Sequence, residues 1–204
     1  MKYNAESFSA FLEKIDLTKA QRNRAVELYT NVCNAIGNKT GLEIAFYPQG
    51  SFATKTAVRP YKNGKDQAYD VDVICEVLNA DKMTISPKKL KEIFRIALKN
   101  SIYANKMEEW DKCFTINFKE QDGVSFSIDI IPSVSEDDYT KDLLSNITEF
   151  SSLVDSSIAI PNSESNSWIT NNPKGYVQWF ETEIEKFKLR YFMERNDKKI
   201  YTSI

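Results

Sequence analysis

The sequence contains no histidine among its 204 residues. This absence excludes the Ser-His and Cys-His arrangements of hydrolases, and it excludes zinc sites that use imidazole. The three cysteines, Cys33, Cys75 and Cys113, are far apart and form no Cys-x-x-Cys pair, so we expect reduced and packed thiols. Chemistry in this chain must therefore use carboxylates, hydroxyls, lysines and metal ions.

The sequence also lacks long apolar runs and a strong charge of one sign. No apolar run approaches the ~20 residues that a membrane-spanning helix needs, and the first residues lack the charged-then-apolar layout of a signal peptide. The net charge is −2, so no basic field over the whole chain favours nucleic acid. We therefore expect a cytoplasmic protein without a membrane or nucleic-acid partner.

Three aspartates lie in apolar, β-branched runs, where aspartate is normally disfavoured. Asp70 and Asp72 lie in residues 69–75, and Asp129 lies in residues 126–133. Residues two apart in a strand point the same way, so Asp70 and Asp72 project from one face. A third carboxylate from a neighbouring strand would complete an anionic cage suited to Mg²⁺. The alternative is that these acids occupy a solvent-facing strand surface.

A Gly-Ser pair, Gly50-Ser51, follows a predicted strand over residues 42–47. Glycine lets a phosphate approach the backbone, and a serine hydroxyl with the N–H groups of a helix start can hold it. The plainer alternative is a turn in which the serine caps a short helix. The dipeptide alone therefore does not predict a phosphate site, and the motifs around it decide between the two interpretations.

The periodicity of the remaining sequence predicts an α+β fold, with a small mixed β-sheet and flanking helices. A capping box at Thr18 and Gln21 predicts a helix to about Asn38. Asp122-Gly123 predicts the turn of a hairpin, and Ser86-Pro87 predicts another helix start. Further helices are expected over residues 7–15, 51–57 and 179–195, and further strands over 68–78, 113–119 and 124–131.

The chain thus has a strand, the Gly-Ser pair, a short helix, the strand with Asp70 and Asp72, and a later strand with Asp129. This order of motifs resembles the DNA polymerase β-like nucleotidyltransferase superfamily. More narrowly, the sequence is similar to the bacterial CD-NTases, which are relatives of cyclic GMP-AMP synthase and of the oligoadenylate synthases. The stretches that carry the resemblance are residues 48–60, 69–76, 128–133 and 172–180. Lys55 stands where many relatives carry glycine.

The resemblance implies a division of the chain into four parts. Residues 1–40 are expected to form N-terminal helices that pack on the core, and residues 41–135 the palm core of the nucleotidyltransferase. Residues 136–167, which are acidic and serine-rich, are expected to be a loop. Residues 168–204 are expected to begin a C-terminal helical domain, and most of that domain is expected to be absent.

The resemblance also implies an activity, namely synthesis of cyclic di- or trinucleotide second messengers from nucleoside triphosphates in antiphage (CBASS) signalling. CBASS regulatory or effector proteins would be its partners. Catalysis would use two Mg²⁺ ions, for which Mn²⁺ can substitute. Two alternatives are a minimal nucleotidyltransferase that transfers AMP to a protein, and an inactive nucleotide-binding fragment. The catalytic and metal residues would be Asp70, Asp72 and Asp129, and the nucleotide-binding residues Gln49, Gly50, Ser51 and Lys55.

Overall fold

A seven-stranded mixed β-sheet forms the centre of the α+β fold. The structure is a computed structural model that describes residues 5–121 and 124–201. The helices are α1 Ala5–Ile15, α2 Lys19–Thr40, α3 Gly50–Ala53, α4 Pro87–Lys99, α5 Asp138–Ile147 and α6 Pro173–Tyr201, with short 3-10 helices at Ala104–Lys106 and Ser151–Ser156. The strands are β1 Ile44–Pro48, β2 Tyr61–Lys62, β3 Lys65–Asp66, β4 Tyr69–Asp81, β5 Met107–Glu109, β6 Phe114–Gln121, β7 Val124–Ser135, β8 Ile158–Asn162 and β9 Ser167–Asn171.

The order of the strands places β4 and β7 at the centre of the sheet. The path runs β1-β4-β7-β6-β5, and β8 and β9 extend it from the end of β7. Strands β4 and β7 are parallel, and the other pairs in the described part of the sheet are antiparallel. The β2–β3 hairpin stands apart, and Asn63 and Gly64 in its turn both have positive φ angles. The central parallel pair therefore aligns, residue by residue, two segments that are far apart in sequence.

Helices α2 and α4 cover one face of the sheet. The period of two in β4 turns Val71, Val73 and Cys75 toward this face, where all three are buried. The helices contribute an apolar stripe that packs against these strand residues in one cluster, namely Val32, Ile36, Leu90, Phe94 and Leu98. The same alternation turns the side chains of Asp70 and Asp72 to the opposite face.

The helix starts follow the predicted capping chemistry. Gln21 N–H donates to the Thr18 hydroxyl at 3.3 Å, and Thr18 N–H donates to Gln21 Oε1 at 2.9 Å, which confirms the capping box. Ser86 accepts a hydrogen bond from Lys89 N–H at the start of α4, and Pro87 lies in its first turn. Each cap satisfies N–H groups that have no partner inside the helix.

The segment 136–167 contains α5, a 3-10 helix and β8, so the loop expected there is wrong. Asp137 caps α5 by accepting a hydrogen bond from Thr140 N–H at 2.7 Å. The Ile158–Ile160 run is buried and pairs with the end of β7. Serine-rich flanks obscured this short apolar strand, whose partner is distant in sequence. Strand β9 also belongs to the sheet, so the start of the helical region expected from residue 168 is wrong.

Smaller differences concern element boundaries. Helix α6 begins at Pro173, six residues before the predicted start at Trp179. Helix α3 spans only Gly50–Ala53. The predicted turn at Asp122-Gly123 lies outside the described residues. Within the described ranges, no helix combines the length and the apolar character required to cross a membrane.

Candidate active site

The parallel register of β4 and β7 places two of the predicted aspartates side by side. Asp72 is the Cα partner of Asp129, and Asp70 is the partner of Ser127. Opposed residues on neighbouring strands project to the same face, about 4.8 Å apart along the hydrogen-bonding direction. The three carboxylates therefore share the face of the sheet that α2 and α4 leave uncovered.

Two hydroxyl groups from neighbouring positions donate hydrogen bonds to these carboxylates. Thr115, which lies opposite Asp129 on β6, donates to Asp129 Oδ1 at 2.6 Å. Ser127 donates to Asp70 Oδ1. Hydroxyl donors favour the ionised form of a carboxylate and restrict its rotation. Sequence reasoning did not identify Thr115 or Ser127 as site residues, because only the register brings them to the aspartates.

The pKa values of Asp72 and Asp129 report crowded, partly buried negative charge. Burial raises the pKa of Asp72, the charges of Asp129 and Asp70 raise it further, and a hydrogen bond from the Gln49 side chain opposes them. Burial likewise raises the pKa of Asp129, the Thr115 hydrogen bond lowers it, and the charge of Asp70 raises it. A cation between these carboxylates would therefore relieve an unfavourable interaction already present in the fold.

The Gly50 backbone lies directly against Asp72. Its φ angle is +63°, and a Cβ at this position would lie 2.9 Å from Asp72 Oδ2. The Gln49 N–H donates to the Asp72 backbone carbonyl at 3.0 Å, which fixes the start of α3 beside β4. A side chain at position 50 would thus meet both the left-handed backbone conformation and the carboxylate. This close approach is the structural reason for a glycine in the Gly-Ser pair.

The remaining predicted nucleotide-binding residues lie around the same turn. Ser51 is exposed in the first turn of α3, and Gln49 is half-buried beside Asp72. Lys55 is exposed and has a φ of +60°, a conformation that favours glycine. It borders a cleft of about 470 Å³ that α6 closes with Phe180 and Ile184. The structure thus brings Gln49, Gly50 and Ser51 to the aspartates and directs Lys55 toward α6.

The donor set fits a hard divalent cation by its chemistry, since it consists of carboxylate oxygens with neighbouring hydroxyls. In the part of the chain that the structure describes, no three acidic, cysteine or histidine side chains already form a group that could hold a metal ion. Burial is the main cause of the raised pKa values of Asp72 and Asp129, and the negative charge of Asp70 raises both further. Binding of a cation would therefore require the side chains to converge, as the shared face allows.

Comparison with a curated protein relates the chain to cyclic dinucleotide synthases. A c-di-GMP synthase from Roseivirga ehrenbergii is 25% identical over 183 residues, which are 86% of this chain and 42% of the relative. The chain therefore spans less than half the length of this relative.

Solved structures share the fold. The Bradyrhizobium diazoefficiens CD-NTase CdnG, in complex with GTP, matches with a TM-score of 0.59 and 24% identity, over 81% of this chain and 43% of that chain. The Elizabethkingia meningoseptica CdnE cyclic dinucleotide synthase, with GTP and Apcpp, matches with a TM-score of 0.55 and 21% identity, over 81% of this chain and 53% of that chain. These similarities confirm the predicted α+β fold.

A family pattern covers most of the chain. The pattern of the Second Messenger Oligonucleotide or Dinucleotide Synthetase (SMODS) domain matches residues 1–183, which include both central strands and the Gly-Ser turn. With the relatives above, this match confirms the resemblance to bacterial CD-NTases. The protein belongs to the SMODS family.

Proposed function

We propose that the protein is a nucleotidyltransferase that joins nucleoside triphosphates into cyclic di- or trinucleotide second messengers. The observation that carries the proposal is the register of Asp72 against Asp129, with the Gly50 backbone beside Asp72. This arrangement puts acidic side chains and a glycine turn next to each other on one face of the sheet. Membership of the SMODS family supports the same chemistry.

The three aspartates would act as metal ligands during in-line attack of a ribose hydroxyl on an α-phosphate. Asp70 and Asp72 would hold both Mg²⁺ ions, and Asp129 would help to hold the ion that activates the attacking hydroxyl. When bound, the two ions lower the pKa of the attacking hydroxyl and neutralise the leaving pyrophosphate. The chain would contribute position and charge, since no covalent enzyme intermediate is required.

The turn at the start of α3 would hold the triphosphate. The backbone at Gly50 and the hydroxyl of Ser51 would contact the β- and γ-phosphates, because no side chain intervenes at position 50. Gln49 already donates to Asp72 and would keep that carboxylate ionised and in place. Lys55 would reach phosphate from the side of the cleft that faces α6.

The biological role that fits this family is antiphage signalling of the CBASS type, in which regulatory or effector proteins would respond to the product. Nucleoside triphosphates are the substrates that the relatives support, since CdnG was solved with GTP and CdnE with GTP and Apcpp.

The experiment is to incubate the chain with four radiolabelled ribonucleoside triphosphates and Mg²⁺ or Mn²⁺, then to resolve phosphatase-resistant products. We expect a cyclic product that is lost in Asp70→Asn and Asp72→Asn and kept in Asp142→Asn, an exposed aspartate on α5. Equal product from wild type and Asp72→Asn would contradict the proposal. Label on a protein would favour AMP transfer, and metal-dependent nucleotide binding without product would favour the nucleotide-binding fragment.

A further inference from the structure

Helix α4 carries a lysine whose side chain is completely buried. Lys91 follows two exposed lysine positions in the sequence, yet its relative exposure is 0%. Its ammonium donates to the Trp110 carbonyl at 2.7 Å and to the Cys113 carbonyl at 2.8 Å, and it lies 3.6 Å from the centre of the Phe114 ring. Burial of a charge is costly, and the two carbonyls compensate it together with Glu109 Oε1 at 3.9 Å.

The turn held by Lys91 joins β5 to β6. Trp110 N–H donates to the Cys113 carbonyl at 3.0 Å, so this carbonyl accepts from both the turn and the lysine. Arg95, one turn further along α4, makes a bidentate contact with Glu109 at 2.6 and 2.7 Å. The β5–β6 hairpin is therefore fixed to α4 at two successive points.

A chain of hydrogen bonds leads from this turn to Asp129. The Trp110 indole N–H donates to the Thr115 hydroxyl at 3.1 Å, and Thr115 donates to Asp129 Oδ1 at 2.6 Å. The direction is fixed, because an indole only donates and an ionised carboxylate only accepts. Asp129 Oδ1 thus accepts a hydrogen bond from a hydroxyl that is itself held by the indole N–H.

We infer that Trp110 and Thr115 are positioning residues for Asp129, and that Lys91 anchors them by holding the backbone of the Trp110–Cys113 turn. The inference rests on the proposed function of Asp129 as a metal ligand. Groups that orient a ligand without touching the metal commonly change metal affinity by about 10-fold to 100-fold when they are replaced. The arrangement would fix one oxygen of Asp129 before any cation binds.

The test measures Mn²⁺ affinity by electron paramagnetic resonance, with Mn²⁺ alone as the probe and with thermal unfolding measured for every variant. We expect Thr115→Val to weaken binding about 10-fold, by loss of the donor to Asp129. Thr115→Ser restores the hydroxyl and should bind nearly as wild type. Trp110→Phe keeps an aromatic ring but removes the indole N–H, and its Mn²⁺ affinity should lie between those of Thr115→Val and Thr115→Ser. Asn117→Ala is the matched control, because it removes a 2.7 Å cross-strand hydrogen bond to Glu108 in the same hairpin.

The outcomes separate this inference from the proposed function. If Asp129→Asn leaves Mn²⁺ binding unchanged, the assignment of Asp129 as a ligand is wrong, and the inference falls with it. If Asp129→Asn weakens binding but Thr115→Val and Trp110→Phe bind as wild type, only the positioning role is refuted. A folded Lys91→Met protein should also bind Mn²⁺ more weakly, and wild-type affinity in that variant would overturn the anchoring role. If Lys91→Met does not fold, Trp110→Phe decides whether the turn acts on Asp129.

Discussion

Replacement of Gly50 by alanine tests the close approach between the turn and Asp72. Gly50→Ala would place a methyl group 2.9 Å from Asp72 Oδ2, at a backbone φ of +63°. The left-handed conformation costs a non-glycine residue about 1–2 kcal/mol. The carboxylate can rotate away from the methyl group, but it then leaves the position that the site requires. We therefore expect a modest loss of stability together with a large loss of function.

Gly41→Ala is the matched control for this prediction. Gly41 has a φ of +66°, and a Cβ there would meet nothing within 4 Å. Both variants should lower the free energy of unfolding by about 1–2 kcal/mol. That loss corresponds to a fall of about 2–4 °C in melting temperature for each kcal/mol in a chain of this size. The two variants therefore share the backbone strain and differ in the contact with Asp72.

The assay combines thermal unfolding with Mn²⁺-dependent binding of a non-hydrolysable nucleoside triphosphate analogue. We expect Gly50→Ala to lose at least about 10-fold in affinity, by analogy with other groups that orient a metal ligand. Gly41→Ala should bind as wild type. Equal affinity in Gly50→Ala and wild type would show that the position of the Asp72 carboxylate does not matter for binding, and would refute the reasoning.

Two further predictions concern charge. Asp72→Asn should abolish metal-dependent turnover. It should also raise the free energy of unfolding by about 1 kcal/mol, because it removes repulsion between half-exposed carboxylates on strands about 4.8 Å apart. Urea denaturation without metal measures the free energy of unfolding, and a destabilised variant would contradict the prediction. Burial lowers the pKa of Lys91 from 10.5 to about 8. Between these values the unfolded chain binds a proton that the folded chain has lost, so stability should rise with pH across this window, by at most about 3 kcal/mol. Denaturation at pH 7 to 10 should show this rise in the wild type relative to Lys91→Met, a comparison that removes the contribution of other titrating groups. Parallel plots of stability against pH for the two proteins would refute the prediction.

The local features of the fold could be predicted from the sequence. The capping box at Thr18, the proline in the first turn of α4 and the alternation around Asp72 all depend on neighbours within a few residues. These signals gave the α+β class and placed Asp70 and Asp72 on one face. The structure agrees because local propensity and burial favour the same arrangement there.

The contacts that complete the site could not be predicted, because they depend on register between distant segments. Nothing in the sequence around Thr115 indicates that it lies opposite Asp129, since one shift in pairing would turn it to the other face. Nothing in the sequence around Lys91 indicates its burial, which the Trp110 and Cys113 carbonyls and the Phe114 ring compensate. Strand β8 was missed for the same reason, as its partner on β7 lies more than 20 residues earlier.

We propose that Asp70, Asp72 and Asp129 hold the metal ions for nucleotidyl transfer, beside a triphosphate on the Gly50-Ser51 turn. The most direct measurement is a crystal structure of the chain with Mn²⁺ and a non-hydrolysable nucleoside triphosphate analogue, using the anomalous signal of manganese. We expect two manganese peaks among these three carboxylates, with the β- and γ-phosphates at Gly50 and Ser51. Manganese or triphosphate bound at another place, with no manganese at the three carboxylates, would contradict this proposal.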